Sequence, residues 1–373
     1  MVRFNLPDVQ FVDKDVDEIE TEIVAEVESK MSISLSQADP RRQVVKAIAY
    51  AFSLMFNKID YTAKQTTLAY AEDDFLDIKG ADKNVPRLEP IAATSVFRFE
   101  VNPIATMVIP AGYQISAEND STIIFQTTES VTVDSAATQI DLTLTCTQKG
   151  VIGNDFLPGQ ISNAVKPLSF VSKVYNITTS SGGADLEDND PYAERIRLSN
   201  ERYSTAGPDE AYIYHAKSAN QLIVDVAVDS PSDGVVRIVP LMANGEIPNQ
   251  AVLDQVSEKC SAKKVRPLTD KVQVVAPELV PYTITLEYFI SSEKESMTES
   301  IQASVQKAVE EYRIWQKSKL GRGIDSGELI ALVKEAGASR VNLTAPVGYT
   351  ALSRIQVASD TTVTVTYGGL TDD

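Results

Sequence analysis

His215 is the only histidine among 373 residues, so any chemistry that needs an imidazole must use it. One histidine excludes a multi-histidine zinc site and leaves a Ser/His/Asp arrangement a single base. The chain has no G-x-S-x-G elbow to present a nucleophile. At helical spacing His215 shares a side with Tyr212, Ala216 and Ala219 and reads as a packed, hydrogen-bonded residue. The two cysteines give no disulfide framework. Cys146 continues the alternation Ile140, Leu142, Leu144 and reads as a strand core residue, while Cys260 sits in a helix-like stretch. The acidic run Asp185, Glu187, Asp188, Asp190 lacks the sixth-position glycine and twelfth-position carboxylate of an EF-hand loop, and reads as a solvated, helix-capping turn. Gly321-Arg322-Gly323 through Gly327 has neither G-x-G-x-x-G spacing nor a P-loop Lys-Ser/Thr, and reads as a helix stop followed by a helix start. Fifty-two acidic residues permit many carboxylate pairs, and nothing singles one out. Aromatic residues make up 7% and form no sugar-binding ladder; Trp315 is alone beside Tyr312. The expectation is a protein that is no enzyme and uses no cofactor or metal.

The charge balance points the same way. A formal charge of -18 repels nucleic acid and anionic membrane, because phosphate binding needs clustered Lys and Arg. A basic or uncharged protein partner suits this surface better. The N-terminus has no basic-then-apolar signal pattern, and no apolar run approaches the ~18 residues of a membrane span. A soluble protein made in a reducing compartment is expected.

Asp13 to Ile78 reads as helical. Asp15 and Glu18 resemble a capping box. Val16, Ile19, Ile23, Val27 and Met31 follow at helical spacing, and the opposite face is acidic, with nine carboxylates against two lysines between Asp8 and Lys30. Pro40 opens a second helix whose stripe is Val44, Ile48, Ala51, Phe52, Met55 and Ile59. Two stripes at a chain end need a surface to cover them. Either they pack on their own domain, or they join a bundle with helices of other chains. The second reading makes Val16, Ile19, Ile23, Val27, Val44, Ile48 and Phe52 the candidate inter-subunit surface.

Gly80 to about Ser181 reads as β, with Phe97, Phe99 and Val101 alternating against Arg98 and Glu100, and Thr138–Thr147 as the cleanest strand. Several short strands with turn signals between them suggest a sandwich or open barrel. Asp185 to Asn220 reads as two short helices, the first capped by Asp190 with Pro191 at its first position. They meet at a break, Ala206-Gly207-Pro208. After it come strands at Leu222–Val228, Val235–Leu241 and Val272–Val275 around a helix at Gln250–Lys264. A second unit follows: a long strand Val280–Ile290, a helix opened by the capping box Ser296 to Glu299, a helix capped by Asp325, and strands at Arg340–Leu343, Ser353–Val357 and Thr361–Tyr367. The fold class is α+β and multidomain: a helical N-terminus (1–78), a β-rich domain (79–184), a helical hinge with a small α/β unit (185–276), and a C-terminal α+β domain (277–373).

Certain words in the chain are similar to those of a known family. Ser204-Thr205-Ala206-Gly207-Pro208 through Tyr212, Tyr214, His215 and Ala216 to Ser218-Ala219, followed by Val224-Asp225-Val226 and Ser230-Pro231, resembles the baseplate J-like family. Leu76-Asp77-Ile78-Lys79-Gly80 with Val85-Pro86-Arg87 resembles its entry into the β domain. Gly150-Val151-Ile152-Gly153-Asn154 matches its G-x-x-G-N turn. Gly183-Ala184-Asp185-Leu186-Glu187 with Arg195 and Arg197 matches its G-x-D-x-E…R-x-R stretch, and Arg266-Pro267-Leu268-Thr269-Asp270 its R-P-x-T-D segment. The resemblance covers about residues 76 to 367. It implies a structural wedge protein of a contractile phage tail or tail-like particle, located in the tail baseplate and assembled in the bacterial host cytoplasm. It further implies partners: a second copy of the chain, a smaller I-like wedge protein and a W-like sheath initiator, with the central hub and spike contacted indirectly. It implies a change of shape on contraction, for which Gly207 and Pro208 are the candidate hinge. Two other classes compete. A glycan-degrading tail or surface hydrolase would need an acidic pair in a cleft, and a β-rich adhesin would need an export signal.

Overall fold

Asp15 takes a hydrogen bond from the Asp17 N–H at 3.2 Å and so caps helix α1, Val16–Met31. The structure is a computed structural model, and it describes residues 3–7, 9–12, 15–201, 209–262, 265–267 and 269–372. Helix α1 ends where Ser32 turns left-handed and returns its N–H to the Glu28 carbonyl. Asp39 caps α2, Pro40–Gln65, with proline in the first turn. The hairpin buries Ile19 and Val24 of α1 with Leu35, Val45 and Ala49. Glu20, on the acidic back of α1, takes Arg42 at 3.0 Å across the hairpin. Helix α3 spans Asp73–Asp82 and α4 spans Asn189–Leu198. The chain divides into two compact units, 1–87 with 188–197, and 88–187 with 198–373. The first helix after the acidic run therefore belongs to the N-terminal unit, which the chain leaves at Arg87 and re-enters at Asp188.

Helix α4 starts at Asn189, not after Asp190. Asn189 is tied to Asp73 at 3.0 Å and to Arg87 at 3.0 Å. Asp190, instead of capping, pairs with Arg3 at 2.5 Å.

In the second unit, alternation along β1 (Ala92–Val101) is strict: every second side chain is buried. Strands β3 (Gln114–Ala117), β4 (Ile124–Thr127), β6 (Gln139–Lys149), β7 (Ile161–Ala164) and β8 (Val171–Asn176) complete a six-stranded antiparallel sheet ordered β7-β3-β4-β6-β1-β8. A two-stranded flap, β2 (Met107–Ile109) with β5 (Val131–Val133), lies beside it in the chain. The sheet curls around Phe97, Phe99, Ile115, Phe125, Leu144 and Ile161 into a nearly closed barrel.

Its two end strands, β7 and β8, are not laddered to each other. The seam is closed at one end by the fully buried Asn176. Its Oδ1 accepts the Ile161 N–H at 2.9 Å, and its Nδ2 donates toward the carbonyls of Phe156 (3.3 Å), Leu157 (2.9 Å) and Thr178 (2.9 Å). At the other end the seam opens into a cleft of about 370 Å³ bordered by Tyr113, Asn163 and Lys173.

The next domain begins with α5, Asp209–Lys217. Strands β9 (Ile223–Ser232), β10 (Val235–Met242) and β11 (Lys271–Val274) lie in the order β11-β10-β9, with α6, Gln250–Ser261, between the last two in sequence. Tyr212, Ala216, Val226, Ile238, Val256 and Cys260 form one core. The last five residues of β10 are all buried, so this strand is covered on both faces. The second cover comes from the C-terminal domain: Ala227, Val239 and Leu241 pack with Leu320 and Val357, and Asp225 accepts the Leu320 N–H at 2.9 Å.

The C-terminal domain centres on β12, Glu278–Ser291. It is flanked by β14 (Arg340–Ala345, antiparallel) and β16 (Gln356–Thr371, parallel). Helices α7 (Thr298–Lys317) and α8 (Ser326–Glu335) share a core with Ile284, Leu286, Tyr288 and Ile290. A short pair, β13 (Ile324–Asp325) and β15 (Tyr349–Thr350), completes it. Asp325 caps α8 as its spacing suggested, accepting the Gly327 N–H at 2.8 Å. Ser296 does not cap α7: residues 292–297 form a 3-10 turn, and Met297 occupies the cap with no side-chain bond. Ser353–Ile355 of the first expected strand lie outside β16; from Gln356 on, the residues expected in two strands, Ser353–Val357 and Thr361–Tyr367, run on in one, because β12 is long enough to pair along the whole of it.

Cys146 and Cys260 are free and buried, in the barrel and central cores. Burial pushes both thiols up, Cys260 to about 12. At about pH 8 neither should react with a thiol reagent until the domain holding it opens, and both should react in denaturant. Cys260 labelling in native protein at the rate of a free thiol would contradict this core.

Candidate assembly surface

The two amphipathic helices treat their stripes differently. On α1, Ile19 is 4% exposed, and Val16, Ile23 and Val27 are half-buried, so this stripe is largely spent inside the hairpin. On α2 the hairpin covers Val45 and Ala49 instead of the expected stripe. Val44, Ile48 and Phe52 are 61%, 42% and 40% exposed, and Met55 and Ile59 continue the same exposed line. These side chains lie about a quarter turn around the helix from the buried pair. Phe52 and Phe56 stack with centroids 6.4 Å apart, which stiffens the middle of the line. On a 26-residue helix these side chains form one contiguous exposed apolar stripe.

The segments carrying the family resemblance work as joints. Tyr192 donates its hydroxyl to the Val85 carbonyl at 2.8 Å, with the Arg87 guanidinium 4.5 Å from its ring. Arg195 donates to the Pro86 carbonyl at 2.8 Å. Asp185 Oδ1 accepts the Val151 N–H at 3.2 Å, and Glu187 accepts the Leu88 N–H at 2.9 Å. Asn154 and Gly183 exchange two hydrogen bonds at 2.9 Å each, with the side-chain amide imitating a strand neighbour. Arg266 donates to the Asp270 carbonyl at 2.6 Å, and Asp270 receives the Tyr212 hydroxyl at 2.8 Å. Burial, and after it that carboxylate, raises the Tyr212 pKa. Within the acidic run, Asp185 and Glu187 thus serve backbone N–H groups, Asp190 serves Arg3, and Asp188 is exposed.

His215 is half-buried on α5 beside Tyr214, with ring centroids 5.2 Å apart. Among the described residues no group of three or more His, Cys, Asp or Glu is placed to hold a metal ion. No helix among them is long and apolar enough to cross a membrane. The candidate hinge, Gly207 and Pro208, lies outside the described residues. Asn176 was not expected from the sequence, where it follows Tyr175 as an ordinary polar residue at a strand end.

Comparison with known proteins gives a consistent result. Residues 96–183 match the Baseplate J-like protein barrel domain, and residues 204–276 match the Baseplate J-like central domain. Baseplate protein J of Escherichia phage P2 is 33% identical over 187 residues, which is 50% of this chain and 61% of that protein. The match therefore spans less than two thirds of the P2 protein's length. Among solved structures, a chain of the cryo-EM anti-feeding prophage baseplate aligns over 91% of this chain and 90% of its own. Its TM-score is 0.41 and its identity 11%. The barrel and central domains of the baseplate J-like family are thus matched one after the other along this chain, with the P2 relative beside them.

Proposed function

We propose that this chain is a structural wedge subunit of a contractile-tail baseplate, and that α2 is where it joins its neighbours. The observation that carries the reading is the uncovered line Val44, Ile48, Phe52, Met55 and Ile59 on a chain with J-like domains. A lone helix face of this kind is stable in water only at a cost, which a bundle with helices of other chains removes. The neighbours in this proposal are a second copy of the chain and a smaller I-like protein. A W-like sheath initiator sits above, and the hub and spike are reached indirectly. The role is scaffolding, and Gly207 and Pro208 are the proposed hinge for the change of shape on contraction.

The double substitution Ile48→Asp, Phe52→Asp tests it. Both side chains are already at least 40% exposed, so the isolated chain should keep its helix content and melting profile. Co-expression with the I-like protein should yield at least about tenfold less complex, because carboxylates would be buried in an apolar seam. Complex formation at the wild-type level would sink the assignment of α2 as the joint.

A further inference from the structure

Between Glu311 and Asp325 the chain carries Arg313, Lys317, Lys319 and Arg322 and no carboxylate. Arg313 is spent on Glu310 at 2.5 Å and Asp360 at 2.6 Å. Lys317, Lys319 and Arg322 make no ion pair among the described residues, although the chain has a net charge of -18. Arg322 is half-buried, with its guanidinium 4.2 Å from the centroid of the Trp315 ring. Its Nη1 donates to the Trp315 carbonyl and, at 2.9 Å, to the Ser318 hydroxyl. Those bonds close the C-terminal end of α7, where a cation near the last carbonyls is favourable. They leave Nε and Nη2 with no acceptor among the described residues. These two nitrogens form one edge of the guanidinium, the edge that grips a carboxylate through two parallel bonds. Burial lowers the Arg322 pKa, and Asp225 and Glu328 oppose the shift without reaching contact. Asp225 is itself engaged by the Leu320 N–H. A guanidinium drawn this far out of water with one edge empty is short of an anion.

We propose that Arg322, Trp315 and Lys319 form a docking site for an acidic segment of another protein, one of whose carboxylates is held side-on by Nε and Nη2 of Arg322. Charge chooses this occupant. Lys319 is exposed beside Arg322 and adds a second unpaired cation. Trp315 is 37% exposed and supplies an apolar wall for the stem of the incoming side chain. Tryptophan and arginine together are the residue types that carry most binding energy at protein interfaces. A short segment brings its carboxylates only to where the cations stand. A duplex would lay its phosphates along the acidic surface around the site and be repelled by it. The site lies on the C-terminal domain, is separate from α2 and does not rest on the wedge reading.

Trp315 is the only tryptophan of the chain, so its emission reports on the site without a label. The full chain is titrated at physiological ionic strength with an end-blocked peptide of alternating glutamate and leucine. The Trp315 emission should change saturably, with a midpoint below about 1 mM. Arg322→Lys keeps the charge and loses the paired donors, and should weaken binding at least about threefold. Arg322→Gln loses both and should weaken it at least about tenfold. Lys319→Glu changes an exposed side chain that has no bond to lose, so it tests the site without disturbing the end of α7, and should weaken binding at least about threefold. A matching peptide of lysine and leucine should leave the emission unchanged. Four results would overturn the proposal: no saturable change with the glutamate peptide, equal affinity for the lysine peptide, variants that bind as the wild type does, or a short DNA duplex that binds as tightly as the glutamate peptide. None of these bears on α2, whose own test uses the I-like protein.

Discussion

Replacing Asn176 by alanine should open the barrel about a hundredfold more often, corresponding to about 3 kcal/mol. The side chain joins β8 to the stretch leading into β7, where no backbone ladder runs. Its removal strands the Ile161 N–H and deprives the carbonyls of Phe156, Leu157 and Thr178 of a donor, all at a fully buried position. A buried donor left unpaired costs about 1 to 3 kcal/mol, and the loss of packing adds to it. Asn176→Asp should be worse than alanine. It keeps an acceptor for Ile161 but aims a carboxylate at three carbonyl oxygens in a dry site. Cys146, in the barrel core, supplies the readout: its labelling should accelerate about a hundredfold in the alanine variant. Unchanged Cys146 labelling would show that the seam is held elsewhere. Equal acceleration at Cys260 would show that barrel and central domain open as one.

Asn176 also marks where the sequence stops being informative. Alternation along β1 and β6, the capping aspartates and the helical stripes are local signals, and they were enough for the α+β class, the helical N-terminus and the β-rich middle. A seam clasp is not local. Its partners stand at 156, 157, 161 and 178, and no spacing rule links them to an asparagine after Tyr175. On α2 the difficulty is of another kind. Apolar residues occur at Val44, Val45, Ile48, Ala49 and Phe52, wide enough around the helix that two faces qualify for burial. Choosing between them required knowing that Glu20 on the acidic side of α1 meets Arg42, which rotates Val45 and Ala49 inward. Strand β10 was readable from its apolar run. That its second face meets Leu320 and Val357 was not, since those residues come from another domain. The family words were visible as words, but only the structure shows that they hold joints.

The adjacent glycines Gly182 and Gly183 allow such a joint to be tested, because they are glycine for different reasons. Gly182 has φ +83 and open space where a Cβ would go. Alanine there should cost about 1 kcal/mol, the strain of a left-handed residue. Gly183 is buried, and a Cβ on it would lie 2.4 Å from the Gly150 carbonyl oxygen and 2.9 Å from Asn154 Oδ1. The first of these atoms is backbone and cannot rotate away. Relief requires the 150–154 turn to separate from 183, which breaks the reciprocal Asn154 pair and weakens the neighbouring bridge in which Ala184 and Ile91 exchange N–H and C=O at 2.9 and 2.8 Å. Gly183→Ala should therefore cost about 3 kcal/mol or more, the upper range for overpacking plus lost buried hydrogen bonds. Cys146 lies beside this turn, with its Sγ 3.0 Å from where a Cβ on Gly153 would be, so its labelling should accelerate far more in Gly183→Ala than in Gly182→Ala. The reverse order would mean that backbone conformation, not the close approach of the two turns, is what this segment requires of its glycines.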